Sequence, residues 1–249
     1  MRLLHDAAAF VESAYANEGS SFAVNGESNL IERLRPASFT VAFDVGANEG
    51  DWILAALSAW PRCQVHAFEV AQPTFERLAL RMRQSEYCSR ATLNRIGLSD
   101  TEGTQPMYYF PEHPDLTCDL KRHDAYEAQV FDAELRTGDW YCQQSGVGVI
   151  DFVKIDVEGA EYKVLRGLSS HLKEAAIHCV QFEYGAFSTQ THFLLADYYT
   201  LLGNQYWIGK VYPSYCDFEA YDWRMEDFRF ANYCCVSKAR PDLRDLLAG

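Results

Sequence analysis

The 249-residue chain lacks several features that would assign it to a broad functional class. It has no excess of positive charge: 22 Lys and Arg stand against 35 Asp and Glu, for a formal net charge of −13. A nucleic-acid partner needs a basic stripe to neutralise phosphates, and none is visible, so no such partner is expected. The same balance disfavours an anionic membrane surface, and no apolar run reaches the length of a bilayer span. The stretch MRLLHDAAAFVESAY is interrupted by His5, Asp6 and Glu12, and reads as an amphipathic helix rather than a signal peptide. Eight cysteines are scattered with no CxxC pair, so neither a zinc site nor a dithiol couple is indicated. Free thiols in a reducing cytoplasm are the expectation. The seven histidines show no HxxxH spacing. Internal repeats and low-complexity segments are absent.

What is present is a chain with 48% hydrophobic and 23% charged residues, able to bury a sizeable core. Residues 1–38 read as a helical extension, with helices expected over about 3–16 and 27–34. Residues 39–249 read as one domain. In it FTVAFDV (39–45), CQVHAFE (63–69) and ATLNRIGL (91–98) are strands, separated by helices over 49–60 and 72–84. Strands are expected at 105–110 and, as an edge, at 129–135, around an exposed loop at 111–127. After a short helix at 138–146 come a strand at 149–156, a helix at 157–172, a strand at 175–184 and a helix at 191–204. Residues 205–213 and 228–238 close the chain as an antiparallel pair. Alternating strands and helices imply an α/β fold with a mostly parallel sheet and helices on both faces.

In AFDVGANEGDW (42–52), a strand runs into a glycine-bearing turn and then a helix, as in nucleotide-binding folds. The dinucleotide fingerprint GxGxxG is not met, because Asn48 stands where the second glycine would let backbone approach a pyrophosphate. Asp44, just before the turn, would repel phosphate and suits a cationic ligand. S-adenosylmethionine, with a sulfonium and an ammonium, fits that description. The turn Gly46, Ala47, Asn48 and Gly50 would pass beneath its methionine portion. Glu69, ending the second strand, is placed to accept both ribose hydroxyls, and Ser99 or Asp100, after the third, to reach the adenine amine.

A second carboxylate group lies in DFVKIDVEGAEYKVLRGL (151–168). Lys154 sits inside an apolar strand, and Asp156, Glu158 and Glu161 follow it, with Gly159 relaxing the turn. Charge near a helix N-terminus accounts for Glu158 and Glu161. It accounts less well for Asp156, or for Glu183, which ends the next strand, because carboxylates facing a crevice must be solvated or paired.

Taken together, FDVGANEG, FEVAQP, KIDVEGAE and NYCCVSK resemble the FkbM-type methyltransferases over about residues 40–237. The resemblance implies S-adenosylmethionine as cofactor and a class I Rossmann-like fold, with a seven-stranded, mostly parallel sheet whose last strand is antiparallel. It also implies methylation of a small molecule, a sugar or a natural product, most often on a hydroxyl. It carries Asp44, Gly46, Asn48 and Glu69 to the cofactor, and Asp156 lies beside it. The catalytic base is then expected among Asp156, Glu183 and His192. A divalent metal held by Asp156 and Glu183 is the lesser alternative and is not expected. The aromatic and acidic stretch 214–228 reads equally as a substrate wall, a satellite core or a dimer patch, and a homodimer is left open. A nicotinamide-dependent oxidoreductase and a non-catalytic S-adenosylmethionine-binding protein remain the rival functions.

Overall fold

The computed structural model describes residues 21–121 and 126–249, together with 2, 4–7, 11, 17 and 19. The helix expected over 3–16 lies largely outside the described residues, as do residues 122–125 of the loop expected at 111–127. The chain folds around an eight-stranded sheet in the order β10-β9-β11-β8-β7-β1-β2-β3. Its strands are β1 (Val41–Val45), β2 (Gln64–Phe68), β3 (Ala91–Asn94), β7 (Ile150–Ile155), β8 (Ile177–Tyr184), β9 (Tyr206–Val211), β10 (Cys216–Phe218) and β11 (Ala231–Ser237). Five neighbours, β3, β2, β1, β7 and β8, run parallel, while β11 enters antiparallel between β8 and β9. This is the expected seven-stranded arrangement with one addition. The sequence reading gave no strand within 214–228, but Cys216–Phe218 pairs antiparallel with the edge of β9.

β7 shows why such strands read as unbroken apolar runs. All six of its residues are buried, because helices cover both faces of the sheet. Alternate side chains divide between two apolar layers. Ala42 and Phe152 join one layer with Trp52, Leu57, Trp60 and Leu78; Phe43 and Val153 join the other with Leu165, Tyr198 and Leu202. The first layer is built by helices α1 (Glu27–Arg33), α2 (Asp51–Ala59), α3 (Gln72–Gln84) and α9 (Pro241–Leu247). The second uses α4 (Gly138–Ser145), α5 (Glu161–Gly167), α6 (Ser169–Lys173) and α8 (Leu195–Leu202), with the single turn α7 (Ser188–Thr191) before α8. Leu30, Ile31 and Leu34, in and just after α1, lie inside the first layer, so this part of the expected extension packs into the main core.

Three further expectations are corrected. The strand expected over 91–98 breaks after Asn94, and Gly97–Leu98 (β4) leaves for a second sheet. There β4 pairs with β6 (Gln129–Arg136), and β6 with β5 (Gly103–Tyr109), in the order β4-β6-β5. The helix expected from 157 starts at Glu161, because Glu158 and Gly159 have φ of 58° and 110° and hold an open loop. His192, expected to open a helix, instead ends α7 at φ 60°, and α8 begins only at Leu195. Among the described residues no helix is long and apolar enough to cross a membrane.

Candidate functional site

A cavity of about 260 Å³ opens at the carboxyl ends of β1, β2, β7 and β8, roofed on one side by the second sheet and residues 114–119. The turn after β1 forms part of its floor. Gly46 N–H and Ala47 N–H both donate to the Phe68 carbonyl at 3.0 Å, stitching that turn to the end of β2. Gly46 has φ 80°, and a Cβ there would lie 1.7 Å from the Asp156 carbonyl oxygen, so the crossing of these two backbone segments admits only glycine. Glu69 holds the same turn from the other side. Its Oε2 accepts from Asn48 N–H at 3.1 Å, and its Oε1 accepts from Ala71 N–H at 2.9 Å. Burial pushes its carboxyl up to about 7, against these two bonds.

Of the sequence-predicted residues, Gly46, Asn48, Glu69, Ser99, Asp156 and Glu183 line this one cavity. Asp44, Ala47, Gly50, Asp100 and His192 do not. Ala47 is buried in the first apolar layer, and Gly50 is the left-handed cap of α2. Asp100 pairs with Arg166 at 3.2 Å. Asp44 is fully buried and faces the Lys154 ammonium, which lies 3.5 Å from its Oδ1 without hydrogen-bond geometry, so neither carboxylate oxygen has a donor. Burial, only partly offset by Lys154, pushes Asp44 up to about 6. The carboxylate expected to meet the ligand is thus enclosed in the protein, outside the cavity lining.

Lys154 itself is buried and lies 3.0 Å from Asp156 Oδ2 and 3.4 Å from the Gly46 carbonyl. Burial works against its charge, but Asp156, Asp44 and Glu27 outweigh that and hold it above the ordinary lysine range. Next to it, Asp156, Glu158 and Glu183 bring carboxylate oxygens within 4.8 Å of one another, the one group of three metal-ligating side chains among the described residues. Glu183 is raised well above the carboxylate range by burial and by the negative charges of Asp156, Glu158 and Glu161. Glu161 plays a different part: its carboxylate accepts from Val157 N–H and Gly159 N–H at 3.0–3.1 Å and so shapes the loop that carries Glu158.

The sequence reading missed three contributors. Glu158 was assigned to helix-dipole charge, although its neighbour Gly159 already marked an open turn. The apolar side of the cavity, Val70, Ile96, Leu98 and Leu135, follows from the break after β3, which no local signal announced. Asp115 and Asp119 come from a loop whose composition said only that it was exposed.

Residues 44–207 match the family model described as the methyltransferase FkbM domain. The 31-O-demethyl-FK506 methyltransferase FkbM of Streptomyces tacrolimicus is 31% identical over 163 residues, covering 54% of this chain and 61% of its own. Methyltransferase sdnD of Sordaria araneosa is 28% identical over 152 residues, covering 50% of this chain and 59% of its own. The matches thus span about three fifths of the length of these curated relatives. A solved structure of an FkbM methyltransferase from Methylobacillus flagellatus superposes with a TM-score of 0.52 at 15% identity, over 80% of this chain and 44% of that one, and shares its Rossmann-like fold. With the family model spanning well over half of its residues, the chain belongs to the FkbM methyltransferase family.

Proposed function

We propose that this chain is an S-adenosylmethionine-dependent methyltransferase acting on a hydroxyl of a small molecule, sugar or natural product. One observation carries the reading: a single cavity is lined on one side by the Gly46–Asn48 turn and Glu69, and on the other by Asp156 and Glu183. The name of the Streptomyces tacrolimicus relative, a 31-O-demethyl-FK506 methyltransferase, favours an oxygen acceptor.

The residues present fit the cofactor. Each Glu69 oxygen accepts one backbone N–H and retains a further lone pair for a ribose hydroxyl. Val70, Ile96, Leu98 and Leu135 offer apolar surface for a base, with Ser99 at its edge. When bound, the cofactor supplies an electrophilic methyl group on a sulfonium. The protein must then orient the acceptor, exclude water and take up a proton. Asp156, with the Lys154 ammonium 3.0 Å from one oxygen, is the carboxylate held beside a positive charge and takes the hydroxyl proton. Glu183, whose carboxyl is raised by burial and by the neighbouring carboxylates, lines the same cavity and is placed to hydrogen-bond the acceptor. The grouping of Asp156, Glu158 and Glu183 favours one second reading, a divalent cation that polarises the hydroxyl.

The test is transfer of a tritium-labelled methyl group from S-adenosylmethionine to a panel of sugars, glycosides and polyols, with and without chelator. Label in a base-stable ether, retained under chelation, is expected. Label on nitrogen or carbon, or none at all, overturns the hydroxyl reading. Loss of transfer under chelation, restored by magnesium, replaces the base with the metal.

A further inference from the structure

Lys154 takes and gives no proton in the reaction proposed above, yet it is a charge buried inside the central sheet. It stands within IDFVKI, where all six residues are buried. A lysine is almost never placed there unless it is paired. A buried ion pair is commonly no more stabilising than apolar residues of the same volume, so stability alone does not explain it.

Its partners are more telling. Lys154 pairs in register with Asp44 of β1 on one side and Gln181 of β8 on the other. From that row its side chain reaches the carboxyl edge of the sheet. There the ammonium meets Asp156 Oδ2 at 3.0 Å, the Gly46 carbonyl at 3.4 Å and Asp44 Oδ1 at 3.5 Å. Gly46 belongs to the turn on the cofactor side of the cavity, and Asp156 to the acceptor side. Lys154 does not line the cavity, but it is the only ion-pair partner of the Asp156 carboxylate among the described residues. The Asp156 backbone is already fixed by its N–H to the Val45 carbonyl at 2.9 Å, so the remaining freedom is rotation of its side chain. That is the freedom the ammonium removes.

We propose that Lys154 is a positioning residue for methyl transfer: it locks the Asp156 carboxylate and the Gly46 turn together, so that the proton acceptor stays aimed at the acceptor hydroxyl. This rests on the hydroxyl-methyltransferase reading above. The buried position makes Lys154→Met alone a poor probe, because it strands Asp44. The informative comparison is Lys154→Met combined with Asp44→Asn, set against Asp44→Asn alone. S-adenosylhomocysteine affinity is read by calorimetry, and kcat and KM by labelled-methyl transfer to the hydroxyl acceptor that the wild type turns over.

In the double variant kcat should fall at least about 30-fold below that of Asp44→Asn, while acceptor KM and S-adenosylhomocysteine affinity stay within about threefold of the single variant. Lys154→Gln with Asp44→Asn, which keeps a neutral donor toward Asp156, should recover part of that loss. Equal kcat in single and double variants overturns the proposal. So does loss of S-adenosylhomocysteine binding in both double variants, since the lysine is then structural. Wild-type protein that binds S-adenosylhomocysteine but methylates no hydroxyl sinks the reading beneath the proposal, and wild-type protein that does not bind it sinks the cofactor assignment.

Discussion

Strands β7 and β8 carry a charged cluster at each end, and the two clusters are built in opposite ways. At the amino-terminal end Asp151 is saturated. Its Oδ2 accepts from Thr40 N–H at 2.6 Å, Thr40 Oγ1–H at 2.9 Å and Val41 N–H at 3.1 Å, and its Oδ1 lies 2.9 Å from His178 Nδ1. Burial alone would raise its pKa, but these partners outweigh it and hold the carboxyl down at about 2. At the carboxyl end, Glu183 is pushed far the other way by burial and surrounding carboxylates, and Asp44 has no donor on either oxygen. One cluster spends its charge on holding β1 to β7. The other leaves carboxylates short of donors, with Glu183 on the cavity wall and Asp44 buried behind it. Saturated groups stabilise, and under-satisfied ones mark where a ligand is to act.

Mutations at the two ends should therefore separate activity from stability. The largest effect is expected at the cavity: Asp156→Asn should cost about 100-fold or more in methyl transfer, roughly 3 kcal/mol, with S-adenosylhomocysteine affinity nearly unchanged. A variant that turns over at the wild-type rate would reduce Asp156 to a structural carboxylate. At the opposite end, Asp151→Asn should lower stability by about 2 kcal/mol in urea unfolding and leave S-adenosylhomocysteine affinity as it was. If binding weakened as much as stability, the two ends would not be independent. Smaller still, Glu69→Gln should weaken S-adenosylhomocysteine by about tenfold, near 1.4 kcal/mol, because the proposed ribose contact loses one acceptor.

The pH dependence has opposite signs at the two ends. Asp151 is lowered from 3.8 to about 2, so its stabilisation is fully present above the unfolded value and is lost as pH falls through 2. Glu69 and Glu161 are raised from 4.5 to about 7, and Asp44 from 3.8 to about 6. Their contribution is fully present below those unfolded values and is lost as pH rises through 6 to 7. The urea midpoint should thus decline between pH 5 and pH 8, and decline less in Glu69→Gln. A midpoint that rises over that range would contradict the burial-driven shifts. The smallest effect is linkage: with Glu69 as the proposed ribose acceptor, the hydroxyls would favour its ionised form, so S-adenosylhomocysteine binding at pH 6 should release protons, seen as a binding enthalpy that varies with buffer.

Much of this was legible in the sequence. The βα alternation gave the order from β1 to β3 and again from β7 to β8, because strands buried on both faces read as apolar runs. The strand-end positions of Glu69, Asp156 and Glu183 followed from that order, and the cavity brings them together. What stayed hidden depends on contacts distant in sequence. Asp44 looked like a ligand-facing charge because nothing local reveals that Lys154, 110 positions on, stands in register beside it. β4 was read as the tail of β3, since the same residues suit either sheet and only pairing with Leu135 and Arg136 decides. His192 was read as a helix start, although the apolar spacing resumes only at Leu195.

The most direct test of the account is titration of wild-type protein with S-adenosylhomocysteine by calorimetry at pH 7.5. Saturable binding at one site is expected. Absence of any binding heat, confirmed by an unshifted melting temperature, would contradict it and return the cavity to an unassigned ligand.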